Sequence, residues 1–333
     1  MRLLNTTTYE LEDYIGSNVP SYAILSHRWG KGEIMYSDYR KGRCLTGPGY
    51  SKIIKACNFA NSRGHGFIWI DTCCIDKKSS AELTEAINSM FDWYRKAAEC
   101  YAYLPDVHSE RTETVMVELR RSDWFRRGWT LQELIAPSTV IFCTSSWKII
   151  GDKRSTARNH GLASIIKKAT GVPRVVLRHP DKLWSFSVAE RMSWASNRTT
   201  TRVEDTAYCL LGLFGVNMPL LYGEGHNAFL RLQREIMGGS LDESILAWSI
   251  DSAWCELPVC RRKPGKLSFA VLATSPRPFA DAKNVRRWDS TAASPAEPRF
   301  IAGPGGLVEL RPTGSTNIFR AAPDIFVVRL KML

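Results

Sequence analysis

Short apolar runs alternate with helical stripes over the first part of the chain. Tyr22-Ala23-Ile24-Leu25-Ser26 is continuously apolar until the polar cluster His27-Arg28-Trp29-Gly30, the pattern of a buried strand running into a loop. Over Tyr50–Arg63, Ile53, Ile54, Cys57 and Ala60 recur at helical spacing, and Gly64 stops the helix. Gly66-Phe67-Ile68-Trp69-Ile70-Asp71 predicts a second buried strand, closed by the polar turn Asp76–Ser80. From Glu82 to Ala98 one face carries Leu83, Ile87, Met90, Tyr94 and Ala97 and another carries Glu85, Asp92 and Lys96, an amphipathic helix. Cys100–Leu104 and Thr139–Cys143 predict third and fourth strands, with a short helix around Trp124–Ile135 between them. Strands alternating with helices imply a small parallel sheet covered on both faces, whose ligands bind at the C-terminal ends of the strands.

The pattern changes after Gly151. Helices are expected at Leu162–Thr170, Ser187–Ala195, Thr206–Leu213 and Asn227–Met237, and short β runs at Leu267–Leu272, Leu307–Leu310 and Ile325–Leu330. The expected organisation is an α/β domain over residues 1–150, a helical extension over 151–245 and a β-rich C-terminal segment over 246–333.

Composition narrows the function classes. With 44% hydrophobic residues and eleven Trp in 333 residues, a folded core is expected rather than disorder. Nine cysteines, an odd number, suit buried thiols in a reducing compartment. The N-terminus turns polar after Leu3-Leu4, and Ala207–Val216, the most apolar stretch, is half the roughly 20 residues a membrane span requires. A cytoplasmic protein with neither export nor membrane insertion is expected. The formal charge of +12 is spread over short pairs such as Arg120-Arg121 and Arg126-Arg127, with no basic arm, zinc-finger spacing or RNA-binding signature, so a nucleic-acid partner is not expected. Cys73-Cys74 lacks metal-ligand spacing and is expected to pack in the sheet, and no metal site is expected elsewhere. No Walker loop, Gly-x-Ser-x-Gly elbow or His-Glu-x-x-His motif is present. Gly223-Glu224-Gly225-His226-Asn227-Ala228 mimics a dinucleotide-binding loop but follows a helical region rather than a strand, which marks it as a decoy.

Three blocks in order, Tyr22–Gly30, Trp69-Ile70-Asp71-Thr72-Cys73-Cys74-Ile75-Asp76 and Arg127-Gly128-Trp129-Thr130-Leu131-Gln132-Glu133-Leu134, closely resemble the fungal heterokaryon-incompatibility (HET) family. Downstream, Arg191-Met192-Ser193-Trp194-Ala195, Glu204-Asp205-Thr206-Ala207-Tyr208, Leu221-Tyr222-Gly223-Glu224-Gly225 and Arg231–Ile236 resemble the extension that often follows that domain. The resemblance implies an effector of non-self recognition and programmed cell death. Members often carry nucleotide-binding or repeat domains as well; none is read in this sequence, so sensing is expected from an upstream recognition protein.

More distantly, the same residues resemble the Toll/interleukin-1 receptor (TIR) fold in the order of their elements and in Trp129-Thr130-Leu131-Gln132-Glu133-Leu134. That resemblance implies a TIR-like sheet and makes Glu133 the counterpart of the catalytic glutamate of NAD-cleaving members. Cleaving the nicotinamide–ribose bond passes through an oxocarbenium-like state, which a carboxylate near the anomeric carbon stabilises. Trp129, one helical turn before Glu133, would then stack an aromatic base, and Arg127 or Arg28 would meet pyrophosphate. Ser26, His27, Arg28 and Trp29 at a strand end, with Asp71, complete the candidate binding set. NAD enters as substrate, with no bound cofactor expected, and self-association would complete the site. The competing readings are a signalling adaptor acting by protein contacts alone and, more weakly, a basic nucleic-acid-binding protein. Asp76, Glu82 and Glu85 are read as turn and helix-start carboxylates.

Overall fold

The computed structural model describes residues 1–16, 18–43, 46–109, 111–155, 162–240, 242–246, 272–284, 302–303 and 307–308. The described chain divides into two units: residues 1–183 with 198–200 and 209–220, and residues 184–197 with 201–208 and the described residues from Leu221 onward.

The first unit is an α/β sandwich. Its sheet contains β1 (Arg2–Asn5), β2 (Leu11–Asp13), β3 (Ala23–His27), β4 (Phe67–Trp69), β5 (Glu99–Tyr103), β6 (Val140–Cys143) and β7 (Ile149–Asp152), in the spatial order β2-β1-β4-β3-β5-β6-β7. The four central strands β4, β3, β5 and β6 are mutually parallel neighbours, as the four apolar runs imply. β3 is buried at every residue and β6 likewise, because helices cover both faces of a parallel sheet and its strands need no polar alternation. The three outer ladders are antiparallel: β1 joins β4 and pairs with β2, and β7 closes the other side on β6. These short flanking strands protect the parallel core from exposing its edges.

Between the strands run α1 (Tyr36–Arg40), α2 (Gly47–Ser62), α3 (Asp71–Cys74), α4 (Ser80–Lys96), α5 (Thr112–Arg121) and α6 (Thr130–Ile135). α2 buries Ile53, Ala56, Cys57 and Ala60, one helical stripe, with no exposure. α4 is capped by Ser79, whose hydroxyl accepts from the Glu82 amide at 3.2 Å, while the Glu82 carboxylate accepts from the Asp76 amide at 2.8 Å and holds the preceding turn. Its Tyr94 crosses to the sheet and donates to the Leu25 carbonyl at 3.1 Å.

Two sequence expectations change here. The single helix around Trp124–Ile135 is a 3-10 turn over Asp123–Arg126 followed by α6; between them the Arg126 carbonyl and the Gly128 amide are bonded to Thr199 instead of within a helix. Cys73 and Cys74 lie in α3, buried, rather than in the sheet. Glu133, a polar residue in a helical pattern, is 7% exposed, since every residue of α6 is buried.

α7 (Leu162–Thr170) and α8 (Arg174–Arg178) also belong to the first unit, as the sequence periodicity requires for α7. The second unit holds α9 (Val188–Ser193), started by a Ser187 cap on the Glu190 amide at 3.1 Å, and α10 (Asp205–Tyr208). α11 (Leu211–Phe214) returns to the first unit and α12 (Asn227–Gly239) to the second, so the expected helix over 206–213 is two short ones. β8 (Ala302–Gly303) pairs antiparallel with β9 (Leu307–Val308). The β runs expected at residues 267–271, 309–310 and 325–330 lie outside the described residues. Among the described residues no helix is long and apolar enough to cross a membrane.

Candidate functional site

The carboxyl ends of β3 and β4 bring polar side chains into an apolar interior. β3 closes with Ser26 and His27, and β4 leads through Ile70 into Asp71, the first residue of α3. α6 presents Glu133 to the same place. The Ser26 hydroxyl, wholly buried, donates to Glu133 Oε2 and accepts from the Trp124 indole N–H at 2.9 Å. Trp124 is itself fixed edge-on to Phe125 and Phe142, so this donor has little freedom. Below, the Cys100 thiol reaches the Glu133 carbonyl at 3.8 Å.

Burial raises the Glu133 pKa to about 7, against the Ser26 hydrogen bond, which works to lower it; Asp71 raises it further, while Arg127 and Arg198 oppose. The group is therefore poised between acid and base at neutral pH, the range in which proton transfer is most effective.

His27 is enclosed completely. Neither ring nitrogen has a hydrogen-bond partner among the described residues, although Nε2 lies 3.7 Å from Asp71 and 3.9 Å from Glu33. Burial, then Lys52, lowers its pKa to about 3, so at neutral pH the ring is uncharged and these approaches are not ion pairs. Glu33 is paired instead with Lys52.

Asp71 is the hub of the outer part of the site. It accepts from the Trp29 indole N–H at 2.9 Å and from Lys77 Nζ at 3.2 Å. Burial works to raise its pKa, but Lys77 and the hydrogen bonds prevail and hold it at about 2, a permanent carboxylate. Trp29, 37% exposed, carries the Lys77 ammonium 3.7 Å from its ring centre and the Arg127 guanidinium at 5.9 Å.

A strap holds the loop before α6. Thr199 donates to the Arg126 carbonyl at 2.7 Å and accepts from the Gly128 amide at 2.8 Å, a parallel bridge between Arg127 and Thr199. Gly128 is required there: a Cβ would stand 2.5 Å from Thr200 Cγ2 and 3.1 Å from Cys209 Sγ. Arg198, beside the strap, donates to the Arg127 carbonyl at 2.8 Å and to Thr130 Oγ1 at 2.9 Å.

Of the residues singled out in the sequence, Ser26 and Glu133 meet directly, and Trp29, Asp71 and Arg127 form a second group around the exposed indole. Arg28 is engaged by Asp123 in a pair half-exposed to solvent, and Trp129 is the half-buried N-cap residue of α6. Trp124, Tyr94, Lys77, Glu33 and Arg198 were not picked out. Lys77 alone left a signal, its place in the polar turn after the Trp69–Asp76 block; the others join the site only through long-range packing. No cluster of His, Cys, Asp or Glu among the described residues can hold a metal ion. In the second unit, the glycine-rich loop has its anion-binding amides filled: Glu204 Oε1 accepts from Gly223 at 2.8 Å and from Gly225 at 3.0 Å.

Residues 22–116 match the family model described as heterokaryon incompatibility protein (HET). Over 234 residues the chain is 45% identical to vegetative incompatibility protein HET-E-1 of Podospora anserina, an alignment covering 68% of this chain. The chain is a HET-domain protein. It spans 17% of that relative's length, and no solved structure matches it. The HET match includes Ser26, His27, Arg28, Trp29 and Asp71 and ends before Arg127, Trp129 and Glu133. The buried carboxylate thus comes from the segment after the match and is brought to the HET domain by the pairing of β3, β5 and β6.

Proposed function

We propose that this chain is an incompatibility-type effector of non-self recognition and programmed cell death, acting by cleavage of NAD or a related nucleotide when copies self-associate. The observation that carries the enzymatic part is the buried Ser26–Glu133 pair at the carboxyl end of a parallel sheet. The incompatibility role rests on the HET match and on the relative's name.

In this reading the exposed Trp29 receives an aromatic ring, with Arg127 and Lys77 beside it to meet phosphate. The bond between ribose C1′ and the nicotinamide nitrogen breaks, its electron pair leaving with nicotinamide. Ionised Glu133 stabilises the positive charge on the ribose and takes a proton from the attacking water, which supplies the new C1′–O bond. A cationic substrate favours the carboxylate form, offsetting the burial that holds half of Glu133 protonated near neutrality.

A second reading has its own support. Glu133 is only 7% exposed and already engaged by Ser26, as a side chain that orders an adaptor surface would be. The two readings separate on nicotinamide release by purified protein over two decades of concentration. Release per molecule that rises with concentration is expected for a site completed by self-association. Release per molecule that stays constant removes the self-association requirement, and none at any concentration leaves the adaptor.

A further inference from the structure

Lys153, the residue after β7, is the largest charged side chain enclosed in the first unit among the described residues, with no exposure at all. A buried ammonium is costly unless each of its three N–H groups finds an acceptor. Lys153 finds three, all in one short stretch: the carbonyls of Leu134 at 2.9 Å and Ile135 at 3.3 Å, and the carbonyl of Pro137. These belong to the open end of α6, where the helix leaves its last carbonyls without intrahelical donors and where a positive charge is favoured by the peptide dipoles.

α6 has six residues, too few for its own hydrogen bonds to fix it, so its position comes from the groups that grip it. Those groups are now identifiable. The Glu133 carboxylate is held by Ser26 of β3, the Glu133 carbonyl by Cys100 of β5, and the next carbonyls by Lys153. The Lys153 amide also bonds the Val140 carbonyl at 2.9 Å, and Ile141 pairs with Asp152, so the ammonium stands at a height set by the β6–β7 ladder.

We propose that Lys153 is a positioning residue for Glu133: by tying down the carbonyls that close α6, it sets where the Glu133 carboxylate stands relative to Ser26. The inference rests on the reading of Glu133 as the reacting carboxylate. Burial pushes the Lys153 pKa down to about 7, against Cys100 and Asp152, which work to raise it.

The test compares wild-type protein, Lys153→Met, and Lys153→Gln, which keeps two N–H donors without charge. Glu133 is followed by NMR of 13C-labelled glutamate carboxyls, assigned by loss of its signal in Glu133→Gln, and NAD cleavage is measured alongside. With the carbonyl ties gone, the Glu133 midpoint is expected to fall from about 7 toward the ordinary carboxylate range by about one unit or more as the group relaxes toward solvent. Turnover is expected to fall about tenfold or more with KM within about twofold, Lys153→Gln being the milder. An unchanged Glu133 midpoint in folded Lys153→Met overturns the proposal, whatever the activity. Failure of both variants to fold also overturns it, since Lys153 would then be holding the whole domain. A shifted midpoint in a protein whose wild type never cleaves NAD keeps the positioning role and removes the enzymatic reading.

Discussion

The Ser26 hydroxyl donates to the Glu133 carboxylate across 107 positions of sequence, joining the end of a central strand to the short helix that precedes β6. The same hydroxyl accepts from Trp124, so the three side chains form one chain of hydrogen bonds in the interior. Such a network is stable only while every member is satisfied.

Ser26→Ala should therefore cost about 1–3 kcal/mol of stability, since it leaves the Trp124 indole N–H and a carboxyl oxygen without their partner. Because the hydroxyl works to lower the Glu133 pKa, its loss should also raise the Glu133 midpoint above about 7. Chemical denaturation with carboxyl NMR measures both; a stable variant with an unmoved midpoint would show that Ser26 does not engage Glu133 in solution.

His27 and Glu133 should give opposite slopes to the stability–pH curve. An unfolded histidine takes up its proton near pH 6.5 while folded His27 waits until about 3, so the unfolded state binds more protons and stability falls as pH drops below 6.5. Folded Glu133 is protonated below about 7 and its unfolded counterpart only below about 4.5, so this group adds stability as pH drops through that window. His27→Leu removes only the first effect. Between pH 7 and 5 the variant should be spared about 2 kcal/mol of the loss that His27 imposes on the wild type. Parallel curves for the two proteins would place His27 in contact with water.

Gly128→Ala should destabilise the first unit by about 1–3 kcal/mol, because the new methyl meets Thr200 and the strap must move. Thr200→Ser removes the opposing Cγ2 and should recover part of the loss when combined with it. If the double variant is no better than the single one, the strap does not lie against Gly128.

The central strands were readable in the sequence because a strand buried on both faces is a plain apolar run, as in Tyr22–Leu25 and Val140–Cys143. β1, β2 and β7 were not, since Arg2–Asn5, Leu11–Asp13 and Ile149–Asp152 are short and mixed in character, and pairing with a neighbour, not local pattern, makes them strands. Asp71–Cys74 is only four residues long and follows the strand directly, too short to show a helical period, which hid α3. Glu133 was reached only through resemblance, and its burial was missed: a carboxylate in a helical pattern suggests solvent, but α6 is enclosed on every side. Lys153 and Arg198 could not have been chosen by pattern, because a lysine or arginine in a polar stretch gives no sign that tertiary packing will bury it.

Cleavage of NAD by concentrated wild-type protein, compared with Glu133→Gln, tests the account most directly. The amide keeps an oxygen for Ser26 and carries no charge into a site where burial disfavours the carboxylate, so at pH 8 the variant should melt no lower than the wild type. It should nevertheless lose nicotinamide release by about a hundredfold or more, as expected when charge stabilisation in the transition state is removed. Release by a folded Glu133→Gln at the wild-type rate would contradict the account.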